Sequence, residues 1–324
     1  MSLDADVIVD RRRLRRKLAM WRTLALIAVI VLIAGVYAAT DGAGYIGESR
    51  PHVARVSVGG VIRSDRDRLE MLEKIANSGA EAVIVSIDSP GGTVVGAESL
   101  YEGLRRLAEK KPVVAVVQGL AASGGYVVAL GTDRIFAQRN AIVGSIGVIF
   151  QNPNVSELLT TLGVKVEEIK SSPLKAEPNP YSPTSPEARA AMQALVLDSY
   201  DWFKNLVRER RGLDEAQLAR AADGRVFTAA QSMPLKLVDE IGDERAARAW
   251  LAKNKGVSMD LKVRNWRGGG IASEFRWLGV AAGVAQGLGL PVLGSLLSGD
   301  AFSRAAARAQ LDGLLALWHP SLTD

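Results

Sequence analysis

The sequence predicts an α/β body built on a parallel sheet with helices over both faces. Two apolar runs of strand length, 82–87 (AVIVSI) and 113–117 (VVAVV), lack polar alternation, as strands buried on both sides do. Helix-period stretches separate the strand-like runs, the order that yields parallel pairing. Glycine-rich turns follow both runs: Asp88-Ser89-Pro90-Gly91-Gly92, and 119–125 (GLAASGG).

Taken in order, Val53–Val58 alternates with period two and reads as the first strand. Residues 65–76 place Leu69, Leu72, Ile75 and Ala76 on one helical stripe. Strand 82–87 ends at the SPGG turn, and a helix runs to about Glu109. Strand 113–117 leads through the second turn to an apolar stretch ending at Leu130. Strands are expected near 134–137 and 141–148, a helix from about Val155, and a further strand over 164–169. Residues 171–184 are proline-rich and extended. Ser185 then caps a long helix, with Pro186 at its first position, Gly212 just past its end and Arg208, Arg210 and Arg211 in its last turns. A helix over about 214–221 follows.

Of 324 residues, 48% are hydrophobic and 23% charged, so a packed core is expected and wholesale disorder is not. The chain has no cysteine, which removes disulfides, thiolate catalysis and cysteine-ligated metals. Its only histidines, His52 and His319, lie far apart, which excludes a histidine-rich metal site. The net charge of +5 is local: residues 1–23 hold seven Lys/Arg and three Asp, and the remainder is nearly neutral. The body therefore has no nucleic-acid footprint.

Residues 24–39 (LALIAVIVLIAGVYAA) carry no charge. As a helix they span roughly 24 Å, slightly short of the hydrocarbon core, and flanking Trp21, Arg22, Thr23 and Thr40 can extend them. The run is longer than the apolar part of a cleaved leader, although Val36-Tyr37-Ala38 is a tolerable cleavage site. The reading is a basic cytoplasmic stub over 1–23, a transmembrane anchor over 24–40, a linker over 41–52, and a body on the far side of the membrane. Residues 53–260 form the catalytic domain. Residues 261–324 form an apolar, glycine-rich region for oligomerisation. Within it, 277–299 is uncharged with Gly279, Gly283 and Gly287 four apart, a pattern that fits a membrane helix; Pro291 and the six glycines favour a surface packed on other subunits.

In open α/β sheets, ligands gather at the carboxyl ends of strands, where both glycine turns lie. Neither turn is a phosphate loop, since GxxxxGK[ST] and GxGxxG are absent. Each alone is an ordinary strand-to-helix turn. Together, with Ser123 between Ala-Ala and Gly-Gly, they suit acyl transfer: backbone N–H groups for an oxyanion beside a serine at a helix start. A serine nucleophile needs a base, and neither histidine is well placed. A desolvated lysine serves, because burial favours the neutral amine. Lys170 and Lys175, in or beside the extended segment, are the candidates.

At these residues the sequence resembles the signal peptide peptidase A family of membrane-anchored Ser–Lys proteases. The carrying segments are 86–104 (SIDSPGGTVVGAESLYEGL), 111–149 (with AASGGY and, about twenty residues on, GSIGV) and 223–243 (DGRVFTAAQSMPLKLVDEIGD). The resemblance covers about 53–245 and implies the Clp/crotonase superfold. It implies Ser123 as nucleophile, Lys175 as general base, Ser145 as the residue orienting the lysine, and Gly92 and Gly124, with Gly91 as alternative, as oxyanion donors. It implies no cofactor and no metal. Two departures stand out: Ala176 separates Lys175 from Glu177, and Lys236 occupies a position where the family usually has glycine. With one catalytic unit the chain resembles the family's short form, which implies a membrane-bound homo-oligomer, an octamer, whose dyad is shared between neighbouring subunits. The implied function is degradation of remnant signal peptides and other membrane-associated polypeptides. The competing readings are a non-proteolytic membrane-bound scaffold of the same fold and a CoA enzyme, the latter disfavoured by an anchor that sends the body away from cytoplasmic CoA.

Overall fold

The computed structural model describes residues 16–24, 27 and 49–266 and the backbone of 315–317. The chain divides into two compact units, Met1–Arg50 with Gly270–Ala301, and Pro51–Gly269 with Phe302–Asp324. In the first, residues 16–24 are helical. Apart from Leu24 and Ile27, the expected anchor lies outside the described residues, as does 277–299. Among the described residues, no helix is long and apolar enough to cross a membrane.

The second unit holds a nine-stranded sheet. Strands β1 (His52–Ile62), β2 (Ala80–Thr93) and β3 (Val113–Ala122) run parallel at its centre, and β8 (Val263–Trp266) extends it beside β1. Beyond β3, β4 (Arg134–Ala137) and β5 (Ile142–Gly144) both pair with it in parallel, at different heights, and β7 (Glu240–Ile241) pairs with β4. Two pairings are antiparallel: β6 (Val226–Thr228) on β5, and β9 (Leu315–Leu317) on β2. The sheet is mixed, not purely parallel as expected.

The apolar runs are explained by two cores. Val83, Val85 and Ile87 face one, with Ala54, Val56, Val58, Val113, Ala115 and Val117. Ala82, Ile84, Val114 and Val116 face the other. Helix α1 (Arg66–Ala76) covers the first with Met71, Leu72 and Ile75, and α2 (Val94–Ala108) with Leu100, Leu104 and Leu107. Helix α3 (Gly124–Leu130) is entirely buried in the same core. After it come α4 (Ser156–Thr161), α5 (Pro186–Arg211), α6 (Glu215–Ala221), α7 (Ala229–Ser232) and α8 (Glu244–Lys255). Helix α8 covers the second core with Ala247 and Leu251. Each such aliphatic side chain contributes about 1.5–3 kcal/mol on burial.

Helix α5 follows its sequence signals: Ser185 accepts from the Ala188 N–H, and Gly212 stops the helix at φ 60°. Its last turn is tied to the core, with Arg210 donating to the Leu130 and Thr132 carbonyls and Arg211 forking onto Asp239. Tyr126 of α3 donates to the Leu237 carbonyl, and burial pushes its phenol above the ordinary range.

The strand expected over 164–169 is absent. That stretch has no regular structure and belongs to an arm whose Leu158, Leu162, Val164, Val166 and Leu174 are exposed and whose Ile169 is 97% exposed. Among the described residues no strand pairs with it, and its period-two pattern breaks at Glu167-Glu168. The expected strand at 141–148 shrinks to Ile142–Gly144.

Candidate active site

Both glycine turns are continuations of strands. Strand β2 runs through SPGG to Thr93, with its pairing to β1 shifting between Gly59↔Asp88 and Val61↔Gly91. Strand β3 runs on to Ala122. Pairings Ser89↔Ala121 and Ala122↔Gly144 bring the two turns and β5 side by side at the carboxyl end of the sheet. Ser123 and Ser145, each the next residue after a paired one, lie across from each other.

The glycines are fixed by space. Gly91 holds φ 107°. A Cβ on Gly92 would meet the Ile62 carbonyl oxygen at 1.8 Å, and one on Gly125 the Ser89 carbonyl oxygen at 2.7 Å. The SPGG turn thus sits against β1 on one side and against the start of α3 on the other.

Ser123 occupies the turn between β3 and α3 at φ 53°, ψ −118°. An L-residue held there costs on the order of 1–3 kcal/mol and needs a surrounding structure that enforces it. Here the enforcement is visible: the Ser123 N–H donates to the Gly144 carbonyl at 2.8 Å, and the Tyr126 and Val127 N–H groups return to the Ser123 carbonyl. The side chain is 1% exposed, and its hydroxyl has one long contact, 3.4 Å, to the Gly147 carbonyl. Ser145 is also buried and left-handed, at φ 49°, with its N–H on the Arg225 carbonyl.

Of the two glycines expected to offer an oxyanion donor on this turn, Gly91 is already committed: its N–H donates to Ser89 Oγ at 3.1 Å. Gly92, the other expected donor on this turn, pairs with Ile62 of β1 and precedes Thr93, the cap of α2. The β2 edge also accepts an extended chain, since β9 pairs with it antiparallel through Gly91↔Leu317, Gly92↔Ala316 and Thr93↔Leu315.

The lysines separate cleanly. Lys170 Nζ lies 2.7 Å from Glu168 and 2.6 Å from Glu177, and hydrogen bonds to these two carboxylates hold its ammonium above the ordinary lysine range. Ion-paired to two carboxylates, its ammonium is favoured over the neutral amine that a general base needs. Asn179, buried, gathers the same loop: its amide donates to Glu168 and Glu177 and its oxygen accepts from the Tyr181 and Ser182 N–H groups. Lys175 projects from this braced loop, exposed, and no hydrogen bond joins it to Ser123 within the described chain. The chain thus brings Ser123, Ser145, Gly92 and Gly124 to the carboxyl end of the sheet. His52 is buried and stacked on Trp266, whose Nε1–H it accepts, so it serves the β1–β8 edge. Among the described residues no cluster could hold a metal ion.

Comparisons with known proteins identify the family. The model of peptidase family S49 matches residues 105–258. A Synechocystis sp. protein named as a putative protease is 39% identical over 214 residues, 65% of this chain and 77% of its own. The chain belongs to peptidase family S49. It is a serine peptidase. An Enterococcus faecium relative named as a putative signal peptide peptidase SppA is 31% identical over 257 residues, 75% of this chain and 74% of its own, in line with the resemblance read from AASGGY and GSIGV. A point mutant of ClpP1 from Listeria monocytogenes overlaps 59% of this chain and 92% of its own at 16% identity, with a TM-score of 0.39, too loose a likeness to define the fold further.

The Lys236 departure has a structural expression: the residue sits at φ 59°, a conformation glycine adopts without strain. Ser89 is the site residue that sequence reasoning passed over; its only signal was its place in the SPGG turn.

Proposed function

We propose that this S49 peptidase is a membrane-anchored endopeptidase with a Ser123–Lys175 dyad shared between neighbouring subunits, acting on remnant signal peptides and other membrane-associated polypeptides. The observation that carries the reading is the buried, strained Ser123 beside Gly92 and Gly124, with no base hydrogen-bonded to it among the described residues of its own chain. A second subunit supplies that base. The exposed apolar arm that bears Lys175 favours this, since an unpaired apolar surface of that kind packs against a partner.

In the proposed reaction a substrate strand takes the place of β9 on the β2 edge, held by main-chain pairing. The partner's Lys175 loses solvent as the subunits close over it, and an amine moved out of water gives up its proton more readily. Neutral Nζ, oriented by Ser145 Oγ, takes the Ser123 proton as Oγ attacks the scissile carbonyl. The oxyanion forms against the Gly92 and Gly124 N–H groups. The ammonium then protonates the leaving amine, and water, deprotonated by the same lysine, hydrolyses the acyl-enzyme. The basic stub over 1–23 and the apolar run over 24–40 support an anchor with its N-terminus in the cytoplasm and the peptidase unit on the extracytoplasmic side of a bacterial inner membrane.

Incubation with a fluorophosphonate followed by peptide mapping tests the nucleophile. Labelling at Ser123, absent in Ser123→Ala and slowed in Lys175→Ala, is expected. A non-proteolytic scaffold gives no labelling at any serine.

A further inference from the structure

Where β1 and β2 lose register, Ser89 and Pro90 of β2 stand opposite Gly60 of β1 alone. A bulge of this kind strands main-chain groups. Pro90 has no N–H to offer, and the Gly60 carbonyl and the Gly91 N–H lie at the break in register. The Ser89 hydroxyl serves both: it donates to the Gly60 carbonyl at 2.7 Å and accepts the Gly91 N–H at 3.1 Å. Its side chain is 0% exposed, so water cannot replace it. The same residue pairs with Ala121 of β3, two positions before Ser123, and its carbonyl oxygen abuts Gly125. Ser89 is therefore the point at which β1, the SPGG turn, β3 and the start of α3 meet.

We propose that Ser89 is the positioning residue of the oxyanion hole: its hydroxyl accepts the Gly91 N–H and lies 3.4 Å from the Gly91 carbonyl oxygen, so it braces the peptides on both sides of Gly91 and, through the Gly91–Gly92 peptide, aims the Gly92 N–H at the carbonyl attacked by Ser123. The inference rests on the reading of Ser123 as nucleophile. Gly91, at φ 107°, holds a conformation that glycine adopts without strain, and one hydroxyl pins it there. Ser89 touches no substrate. Its loss leaves the peptide-docking edge in place and misaims a donor whose interaction strengthens only as the oxyanion forms, so the cost falls on turnover and not on binding.

The test uses the full-length assembled protein with Ser89→Ala and Ser89→Cys, the latter keeping shape with a weaker donor. The probes are a fluorogenic peptide, a peptidyl aldehyde of the same sequence, whose serine adduct carries the oxyanion, and the product peptide acid, which binds without it. Direct removal of one oxyanion donor costs about 10²–10³ in turnover. A misaimed donor should lower kcat by about tenfold or more in Ser89→Ala, with KM and product-peptide affinity within about twofold and aldehyde affinity falling alongside kcat. Ser89→Cys should lie between it and wild type. Unchanged kcat overturns the proposal. So does a parallel loss of kcat, aldehyde binding and product binding in both variants, which marks a merely structural serine. Should Ser89→Ala not assemble, the Ser89→Cys pattern decides by the same criteria. Ser123→Ala run in parallel separates the two readings: if it cleaves, the nucleophile assignment fails, whereas if it is dead beside an unaffected Ser89→Ala, this proposal alone fails.

Discussion

Replacing Gly125 with alanine tests whether the two halves of the site are held by direct contact. The added Cβ would lie 2.7 Å from the Ser89 carbonyl oxygen and 3.3 Å from Ser89 Cβ. The oxygen belongs to the backbone of β2 and cannot rotate away, so the start of α3 and the SPGG turn must separate by roughly half an ångström to regain van der Waals contact. A misplacement of 1 Å in a catalytic constellation costs about 10²-fold, so half that distance should cost about tenfold in kcat. Stability behaves differently. Overpacking costs about 1–3 kcal/mol, but alanine regains up to about 1 kcal/mol of helix propensity over glycine. Gly125→Ala should therefore lose turnover out of proportion to its urea midpoint. Steady-state kinetics on a fluorogenic peptide, alongside urea denaturation of the same preparation, reads both. A kcat within twofold of wild type in an assembled protein would refute the claim that this contact sets the spacing of the oxyanion hole.

Other outcomes follow from the same geometry. Lys170→Met should retain most cleavage at neutral pH while Lys175→Met loses it; equal losses in a peptide assay would leave the base unassigned. Glu177 is held below the ordinary carboxylate range by its hydrogen bond to Lys170, so the pair contributes fully above that range and fades as pH falls through the lowered value. Limited proteolysis of the 168–182 loop should accordingly rise only as the pH falls below the ordinary glutamate range, and Lys170→Met should abolish that dependence. Lys236→Gly relieves a left-handed residue at about 1–2 kcal/mol and costs about 0.5–1 kcal/mol of chain entropy, a net gain of up to about 1.5 kcal/mol in a chemical melt. No gain there would mean that the Arg211 bond to the Lys236 carbonyl already relaxes the turn.

Much of the fold is legible in the residues because the central strands are buried on both faces: AVIVSI and VVAVV need two cores and have them. Ser185, Pro186 and Gly212 bound α5 as capping chemistry requires. The SPGG and GLAASGG segments read as turns because glycine and proline interrupt strands, yet here pairing continues through them, and a register shift absorbs the bend. The 164–169 stretch reads as a strand because Val164, Val166 and Ile169 favour extended backbone, but only a neighbouring edge makes a strand, and sequence carries no record of neighbours. At the site, Ser123 stands out in the sequence by its place between Ala-Ala and Gly-Gly, while the oxyanion glycines come only from the family resemblance. The choice between Lys170 and Lys175 is not legible, because it turns on Glu168 and Glu177 closing around one of them in space. The role of Ser89 is illegible for the same reason, since it depends on Gly60, 29 residues away.

The central claim is that one subunit's Ser123 works with the next subunit's Lys175, and co-assembly of two inactive chains measures it most directly. In a random equal mixture of Ser123→Ala and Lys175→Ala, each interface pairs an intact serine with an intact lysine in about a quarter of cases. Peptide hydrolysis should return to about a quarter of the wild-type rate, from two preparations that are each inactive alone. A dyad formed within one chain cannot be rescued in this way, so no hydrolysis in a mixture shown by mass to be co-assembled would contradict the account.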